Sequence, residues 1–138
     1  LDFDVFVWRD CTVPFIRNED IKKSIEVLKK KNANLVIGVY EQHLNPYYNV
    51  IEKKQDGFIK LVKKIDRPVS RQKAPKVYQM NGLHTYNVKK FLSPKREKRT
   101  ELDKAIPLEI PIESGLMIDT EFEFQVAKLI IENKIWKI

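Results

Sequence analysis

The sequence has one cysteine, four glycines and no long apolar segment, and each scarcity excludes a class of protein. The lone thiol of Cys11 cannot form an intramolecular disulfide or a cysteine-based zinc site, which fits a reducing, cytoplasmic setting. The apolar runs are far shorter than the roughly 20 residues that a membrane helix needs. The glycine motifs of P-loop and dinucleotide-binding proteins and the G-x-S-x-G motif of serine hydrolases do not occur in these residues.

The charge is unbalanced, with a formal net charge of +7 over 138 residues. This favours anionic partners such as nucleotides, sugar acids or nucleic acid. The lysines are spread in short runs along the chain, a pattern typical of solvated helix and hairpin faces. Aromatic residues do not alternate with them, so we do not expect a nucleic-acid stacking surface. An anion- or RNA-binding surface is the third and weakest of the functions considered.

The first forty residues have a strand–helix–strand pattern. Val5–Trp8 and Leu35–Tyr40 are continuous apolar runs, which are typical of buried strands. Asn18 is the predicted cap of the intervening helix, whose apolar face is formed by Ile21, Ile25 and Leu28. The pattern predicts an α/β fold with a right-handed crossover. In such sheets ligands bind beyond the carboxyl ends of the strands, where the polar loop Arg9–Pro14 lies.

The remaining sequence alternates short strands with polar segments. The predicted elements are a hairpin of Asn49–Lys53 and Phe58–Lys63, a strand at Leu83–Asn87, a helical turn at Val88–Leu92, a charged loop at Pro94–Arg99, an edge strand at Ile106–Ile112 and a C-terminal helix after Ile118. In that last helix Phe122, Val126, Leu129 and Ile130 share one face, and Thr120 and Glu123 have the spacing of a capping box.

Between the two apolar-patterned halves lies the polar segment Ser70–Gly82, which we interpret as a loop. It contains Arg71, the amides of Gln72 and Gln79, and an Asn81-Gly82 pair suited to a tight turn. On composition alone it is either a solvated loop that ends in a turn or a loop that binds a carboxylate, a phosphate or a base edge.

Asp119 precedes the C-terminal helix and has two interpretations. It is either the helix cap or a Mg²⁺ ligand that shares the ion with substrate phosphates. The two histidines, His43 and His84, stand without a second metal ligand at suitable spacing, and we expect both to be structural.

Four segments in order carry a resemblance to a known family. They are Phe6–Phe15, Tyr40–Pro46, the Arg71-Gln72 element with Pro75, Tyr78, Asn81-Gly82 and Tyr86, and Ile118-Asp119-Thr120-Glu121-Phe122-Glu123-Phe124. Together they resemble the acylneuraminate cytidylyltransferase family, the CMP-sialic acid synthetases and relatives that act on other 2-keto-3-deoxy sugar acids. The resemblance covers nearly the whole chain.

The resemblance implies a Rossmann-like nucleotidyltransferase sheet with a protruding hairpin arm, at about residues 45–66, that forms a homodimer. It implies Mg²⁺-dependent transfer of CMP from CTP to a sugar acid such as a nonulosonic acid, with release of pyrophosphate. Asp119 matches the family's metal-binding aspartate, and Arg71 is the second catalytic residue. The substrate-binding positions that it implies are Asp10, Gln72, Tyr78, Asn81 and Gly82.

The sequence departs from the family pattern in three respects that change what we expect of the site. Met117 stands where the family has its first metal aspartate, so a second ligand must come from elsewhere. Asp10 stands where a glutamine near the sugar is usual. A carboxylate there repels a sugar carboxylate, and it either binds metal or accepts a hydrogen bond from an amino or hydroxyl group of a different sugar. The family's glycine-rich CTP-phosphate segment has no counterpart, so residues 1–138 correspond to the C-terminal part of one cytidylyltransferase domain, which we expect to be inactive alone. The alternative is a non-catalytic sugar-acid-binding or dimerisation module of the same fold.

Overall fold

The computed structural model describes residues 2–64, 70–93, 102 and 105–137. In chain order the elements are β1 (Val5–Arg9), α1 (Asn18–Lys30), β2 (Leu35–Glu41), β3 (Ile51–Lys53), β4 (Ile59–Leu61), β5 (Tyr78–Asn87), α2 (Val88–Phe91), β6 (Ala105–Glu109) and α3 (Glu121–Glu132). They form two compact units: Leu1–Tyr40 together with Met80–Ile138, and Glu41–Gln79, which interrupts the first.

A four-stranded sheet with the order β1-β5-β2-β6 organises the first unit. β1 runs antiparallel to β5, with Val5 opposite Asn87 and Arg9 opposite Leu83. β2 runs parallel to β6, which is an edge strand as its prolines predict. Helix α1 connects β1 to β2, but the two strands are not neighbours because β5 lies between them.

Helix α1 supplies the core of the first unit. Leu28 is almost fully buried and packs with Val36 and Leu108. A hydroxyl pair lies beside this apolar contact, since Ser24 Oγ is 2.6 Å from Thr85 Oγ1 and both residues are fully buried. A second core cluster of Val13, Ile16 and Leu83 packs below the loop after β1. The second cluster includes Val13 and Leu83, which flank Asp10 and Gly82 of the candidate site.

The start of α1 differs from the prediction, because Asn18 is its first helical residue and Arg17 is the cap. The buried carboxylate of Asp20 accepts a hydrogen bond from the Arg17 backbone N–H at 3.3 Å and pairs with its guanidinium at 2.7 Å. Trp136 lies against the same arginine, 5.6 Å from its guanidinium carbon, and donates to the Phe15 carbonyl at 3.3 Å. The ion pair between Arg17 and the buried Asp20 therefore takes the place of the predicted Asn18 cap.

The second unit contains the predicted hairpin, with strands two to three residues shorter than expected. Ile51 pairs with Leu61 and Lys53 with Ile59, and Gly57 turns the chain with a φ of +86°. Because side chains alternate, Ile51, Lys53, Ile59 and Leu61 share one face, which is exposed. Glu52 and Lys60 form a 2.8 Å ion pair on the other face. The hairpin is thus amphipathic. The last two residues of the predicted arm, 65–66, lie outside the described residues.

Helix α3 is capped as predicted and buries part of the predicted apolar face, since Val126 and Ile130 are half-buried. Thr120 Oγ1 accepts from the Glu123 backbone N–H, and the Glu123 carboxylate accepts from the Thr120 backbone N–H. Ala127 is the buried position, whereas Phe122 and Leu129 of the predicted apolar face are 76% and 56% exposed. The segment 94–99, predicted as a charged loop, lies outside the described residues.

Candidate functional site

The loop after β1 is built around the Asp10 carboxylate. Asp10 Oδ1 accepts hydrogen bonds from the backbone N–H of Thr12 at 3.1 Å and from its hydroxyl at 3.0 Å. These two bonds lower the pKa of Asp10, because they favour the ionised form, and the nearby His84 acts in the same direction. Asp10 is half-buried and carries a negative charge at neutral pH. The aspartate–x–threonine spacing of such a turn was a signal that the sequence analysis did not use.

Gly82 lies opposite Asp10 and sets the space around it. The Asp10 backbone N–H donates to the Gly82 carbonyl at 3.0 Å, which extends the β1–β5 pairing by one residue pair. Gly82 has a φ of +81°, and a Cβ there would lie 2.7 Å from the Cβ of Asp10. The prediction that Ser70–Gly82 is a loop was wrong for its last five residues, because β5 begins at Tyr78. Gly82 is therefore a kink within a strand, where glycine permits two backbones to approach closely.

Asp119 lies in a segment that pairs with the Asp10 loop. The Ile118 backbone N–H donates to the Thr12 carbonyl at 2.9 Å, so residues 118 and 12 are backbone neighbours. Thr120 caps α3, so the cap interpretation of Asp119 was wrong. The Asp119 side chain is exposed, and among the described residues its carboxylate has no hydrogen bond or ion pair. The structure thus brings the segments that carry Asp10 and Asp119 together, and the Asp119 carboxylate has no partner among the described residues.

Met117 fills part of the core next to this segment. It packs against the cluster of Val13, Ile16 and Leu83 beneath the Asp10 loop. Met117, which the resemblance aligns with a metal aspartate, is therefore an apolar packing residue.

His84 lies two residues beyond Gly82 on the same face of β5. It is half-buried, and burial lowers its pKa while the charge of Asp10 opposes that shift. Its ring centroid is 6.3 Å from that of Tyr86. The expected packing role agrees with this environment. Within the described part of the chain no three histidine, cysteine or acidic residues are grouped to hold a metal ion.

Asn81 is fully buried on the opposite face of β5 from Gly82. Its Oδ1 accepts from the Leu83 backbone N–H at 3.1 Å, and its amide donates to the Ser114 carbonyl at 3.4 Å. A Cβ at Gly38 would lie 2.4 Å from that Oδ1. The side chain therefore braces strands within the protein, and its predicted contact with substrate stays a prediction.

Arg71, Gln72 and Tyr78 belong to the second unit, whereas Asp10 and Asp119 belong to the first. Arg71–Lys73 form one 3₁₀ turn with exposed side chains, and neither Arg71 nor Gln72 has a side-chain partner among the described residues. The buried Asn45 holds the following segment, since its amide donates to the Pro75 carbonyl at 2.9 Å. This anchoring role of Asn45 was missed, although Asn-Pro marks a turn.

Comparisons with known proteins identify the fold. No protein-family model and no curated protein matches the chain. Among solved structures it is similar to the 4-diphosphocytidyl-2C-methyl-D-erythritol synthase of Anaerococcus prevotii, with a TM-score of 0.62 and 17% sequence identity. The match covers 94% of this chain but 59% of that chain, so residues 1–138 span about three-fifths of the neighbour's length. The predicted α/β, Rossmann-like nucleotidyltransferase sheet is confirmed.

By its name the neighbour is a synthase of a diphosphocytidyl-methylerythritol. At 17% identity this likeness concerns the fold alone. None of the helices within the described ranges has the length and apolarity to cross a bilayer.

Proposed function

We propose that this chain is the acceptor-binding part of a cytidylyltransferase that transfers CMP from CTP to a sugar acid and releases pyrophosphate. The observation that carries the proposal is the 2.9 Å bond from Ile118 N–H to the Thr12 carbonyl, which sets the Asp119 segment beside the Asp10 loop. The Asp10 loop directly follows the carboxyl end of β1, where ligands bind in open α/β sheets. The fold likeness to a cytidyl-transferring enzyme supports the same class of reaction.

The donor set of this site fits Mg²⁺. Magnesium prefers hard oxygen ligands and is usually bound by one or two carboxylates together with substrate phosphates and water. Asp119 offers a carboxylate with no partner among the described residues, and Asp10 keeps Oδ2 while Thr12 binds Oδ1. We assign Asp119 as the first ligand and Asp10 as the second carboxylate, which Met117 cannot supply. When bound, the ion neutralises phosphate charge and polarises the phosphoryl oxygens.

The protein's own part in the reaction is positioning. The acceptor hydroxyl attacks the α-phosphorus of CTP, the new phosphorus–oxygen bond forms, and the bond to pyrophosphate breaks. Little covalent work by protein groups is needed for such a transfer. Asp10 stays ionised because Thr12 donates to it twice, so it can accept a hydrogen bond from the acceptor hydroxyl and hold it in line.

The second unit supplies groups suited to an acidic acceptor. The guanidinium of Arg71 is exposed and can bind a carboxylate through two parallel hydrogen bonds. Gln72 and Tyr78 lie on the same segment and add neutral donors. We propose that this segment binds the carboxylate of a 2-keto-3-deoxy sugar acid.

The metal assignment is tested with Mn²⁺ as a spectroscopic stand-in for Mg²⁺. Electron paramagnetic resonance titration measures Mn²⁺ affinity with and without CTP. We expect Asp119→Asn to weaken Mn²⁺ binding at least about tenfold, the scale reported for lost metal-site contacts, and Asp10→Asn to weaken it less. Asp56→Asn is the matched control, since Asp56 is an exposed hairpin carboxylate of the second unit. Equal Mn²⁺ affinity in Asp119→Asn and the parent would contradict the assignment.

Transfer itself is tested with radiolabelled CTP and a panel of 2-keto-3-deoxy sugar acids, by following CMP-sugar formation. We expect residues 1–138 alone to form none, because the resemblance assigns the CTP-phosphate contacts to a segment outside them. CMP-sugar formation by this chain alone would overturn that expectation. If the chain binds a sugar acid through Arg71 but does not bind Mn²⁺, the result would instead support a non-catalytic sugar-acid-binding module.

We also propose that the hairpin face on which Ile51, Ile59 and Leu61 lie with Lys53 pairs two copies of the chain. The three apolar side chains are 51%, 62% and 39% exposed, and apolar surface of this kind is removed from water in homodimers. Sedimentation velocity should show a dimer that Ile59→Lys converts to monomer. Lys60→Thr, on the opposite face of the same strand, should leave the dimer intact. A dimer that survives Ile59→Lys would rule out this face.

A further inference from the structure

Helix α3 is attached to the chain segment 10–17 at both of its ends. Before the helix, the Ile118 backbone N–H donates to the Thr12 carbonyl at 2.9 Å. After the helix, the indole N–H of Trp136 donates to the Phe15 carbonyl at 3.3 Å. The same short segment that follows β1 therefore accepts one hydrogen bond from each end of α3.

The groups on which Trp136 docks are themselves held in place. Phe15 and its neighbour Ile16 are almost fully buried. The Trp136 ring also lies over the guanidinium of Arg17, whose central carbon is 5.6 Å from the ring centroid, a distance suited to a cation–π contact. That guanidinium donates two hydrogen bonds to the buried carboxylate of Asp20, at 2.9 and 2.7 Å. Trp136 therefore attaches the far end of α3 to a rigid part of the first unit.

A turn in a rare backbone conformation directs Trp136 back to this segment. The Lys134 N–H donates to the Ile131 carbonyl at 3.1 Å, and the Ile135 N–H donates to the Ile130 carbonyl at 3.0 Å. This is the Schellman arrangement of helix ends, in which glycine usually takes the left-handed position. Here Lys134 takes it, with a φ of +53° that residues other than glycine rarely adopt. Such a conformation persists where surrounding contacts hold it, and the docking of Trp136 is a contact of that kind.

Between its two ends α3 is held by a narrow contact. Ala127 is its buried residue, and Val126 and Ile130 are half-buried. Because a single methyl group resists tilting of a helix poorly, the contacts at the two ends set its orientation. The first residue of α3 lies roughly 9 Å along the axis from Ala127, so a tilt of about 10° around that point moves it by roughly 1.5 Å. A displacement of about 1 Å is enough to impair a functional site.

We propose that Trp136 is a positioning residue for the metal site: it holds the far end of α3 on segment 10–17 and thereby sets the separation of the Asp119 and Asp10 carboxylates. This inference rests on the proposed function, which assigns both carboxylates to Mg²⁺. Magnesium demands near-ideal octahedral geometry, so two carboxylates serve one ion only at a closely defined separation. Trp136 acts on that separation through the helix rather than as a ligand.

Electron paramagnetic resonance titration with Mn²⁺ measures the effect on the site. We expect Trp136→Ala to weaken Mn²⁺ binding by about tenfold, the low end of the range for residues that orient metal ligands. Trp136→Phe keeps a ring beside Arg17 and should lie between the parent and Trp136→Ala. Ile135→Ala is the matched control, because Ile135 is the preceding residue and is 69% exposed, and it should leave the affinity unchanged. In an Asp119→Asn background Trp136→Ala should have no further effect, since Trp136 acts through Asp119.

Hydrogen exchange by NMR separates positioning from a loss of stability. At a temperature where circular dichroism shows Trp136→Ala to be folded, we expect its Ile118 amide to exchange at least about tenfold faster than in the parent. The Leu83 amide, which donates to Asn81 Oδ1 in the core of the same unit, should exchange at an unchanged rate. If both amides become faster by the same factor, Trp136 contributes global stability alone and the proposal is overturned. If Trp136→Ala does not fold, Trp136→Phe carries both measurements, with smaller changes in the same direction.

Two negative results of the Mn²⁺ titration have different meanings. Unchanged affinity in Trp136→Ala, in a chain whose affinity Asp119→Asn does weaken, would overturn the positioning role of Trp136 and leave the metal assignment intact. Equal affinity in Asp119→Asn and the parent would contradict the metal assignment itself, and the positioning role would fall with it. The proposed function and this inference can therefore fail separately.

Discussion

Gly82 is the position at which a single methyl group should disturb both the fold and the site. Alanine at a φ of +81° costs about 1–2 kcal/mol, the usual penalty for a left-handed backbone. Its Cβ would also lie 2.7 Å from Asp10 Cβ and 3.3 Å from Val13 Cγ2, and relief of such a contact in a packed site costs about 1–3 kcal/mol more. We therefore expect Gly82→Ala to lower the free energy of unfolding by about 2–5 kcal/mol.

Measuring Gly82→Ala both in the parent chain and in Asp10→Gly separates the steric clash with Asp10 from the backbone strain at Gly82. Removal of the colliding carbon in Asp10→Gly should reduce the cost of Gly82→Ala to about the 1–2 kcal/mol of strain alone. Urea unfolding followed by tryptophan fluorescence measures all four chains, and Trp8 and Trp136 both report on the first unit. A cost of Gly82→Ala that is the same in both backgrounds would refute the claim that Asp10 and Gly82 are in contact.

Three further predictions concern the same unit. Ser24→Ala should lower the free energy of unfolding by about 1–3 kcal/mol, because it leaves the buried Thr85 hydroxyl without its 2.6 Å partner. In a Thr85→Val background the loss should be smaller. If the two substitutions have additive effects in urea unfolding, the hydroxyl pair is excluded. Hydrogen bonds from Asp119 N–H, the Thr120 hydroxyl and Thr120 N–H lower the pKa of Glu123, so its stabilisation is present above the ordinary carboxyl pKa and is lost as the pH falls through the lowered value. Glu123→Gln should flatten the acid side of a thermal-midpoint profile, and an unchanged profile would exclude this role. Thr120→Ala should cost about 1 kcal/mol in urea unfolding, as loss of an N-cap does, and no change would mean that Thr120 is not the cap.

The sequence predicted the elements whose pattern is local. The apolar runs of β1 and β2, the hairpin turn at Gly57 and the capping box of α3 are set by residues close in the chain, and each is present. The Asn18 cap was mispredicted because Arg17 and the buried Asp20 satisfy that helix end by an ion pair. Propensity ranks caps by residue type and does not include such a pair.

The site was predicted less well because it depends on contacts between distant segments. Nothing local indicates that Thr12 and Ile118 are hydrogen-bonded, although this bond sets Asp119 beside the Asp10 loop. The Asn81-Gly82 pair reads locally as a turn, yet pairing with β1 draws it into a ten-residue strand. Long-range pairing overrode turn propensity there, and it buried the Asn81 amide.

The way in which the Glu41–Gln79 unit joins the sheet has a consequence for how this protein can change. The chain leaves the first unit at the end of β2 and returns along β5, and these two strands are neighbours. Strands paired in a sheet are about 5 Å apart, so a few residues suffice to join them. The whole unit behaves as an insertion whose length and sequence can vary, or be exchanged between relatives, while the Asp10 and Asp119 segments keep their own pairing. The segment proposed to bind the acceptor and the segments proposed to bind metal are thereby encoded in parts of the gene that can evolve separately.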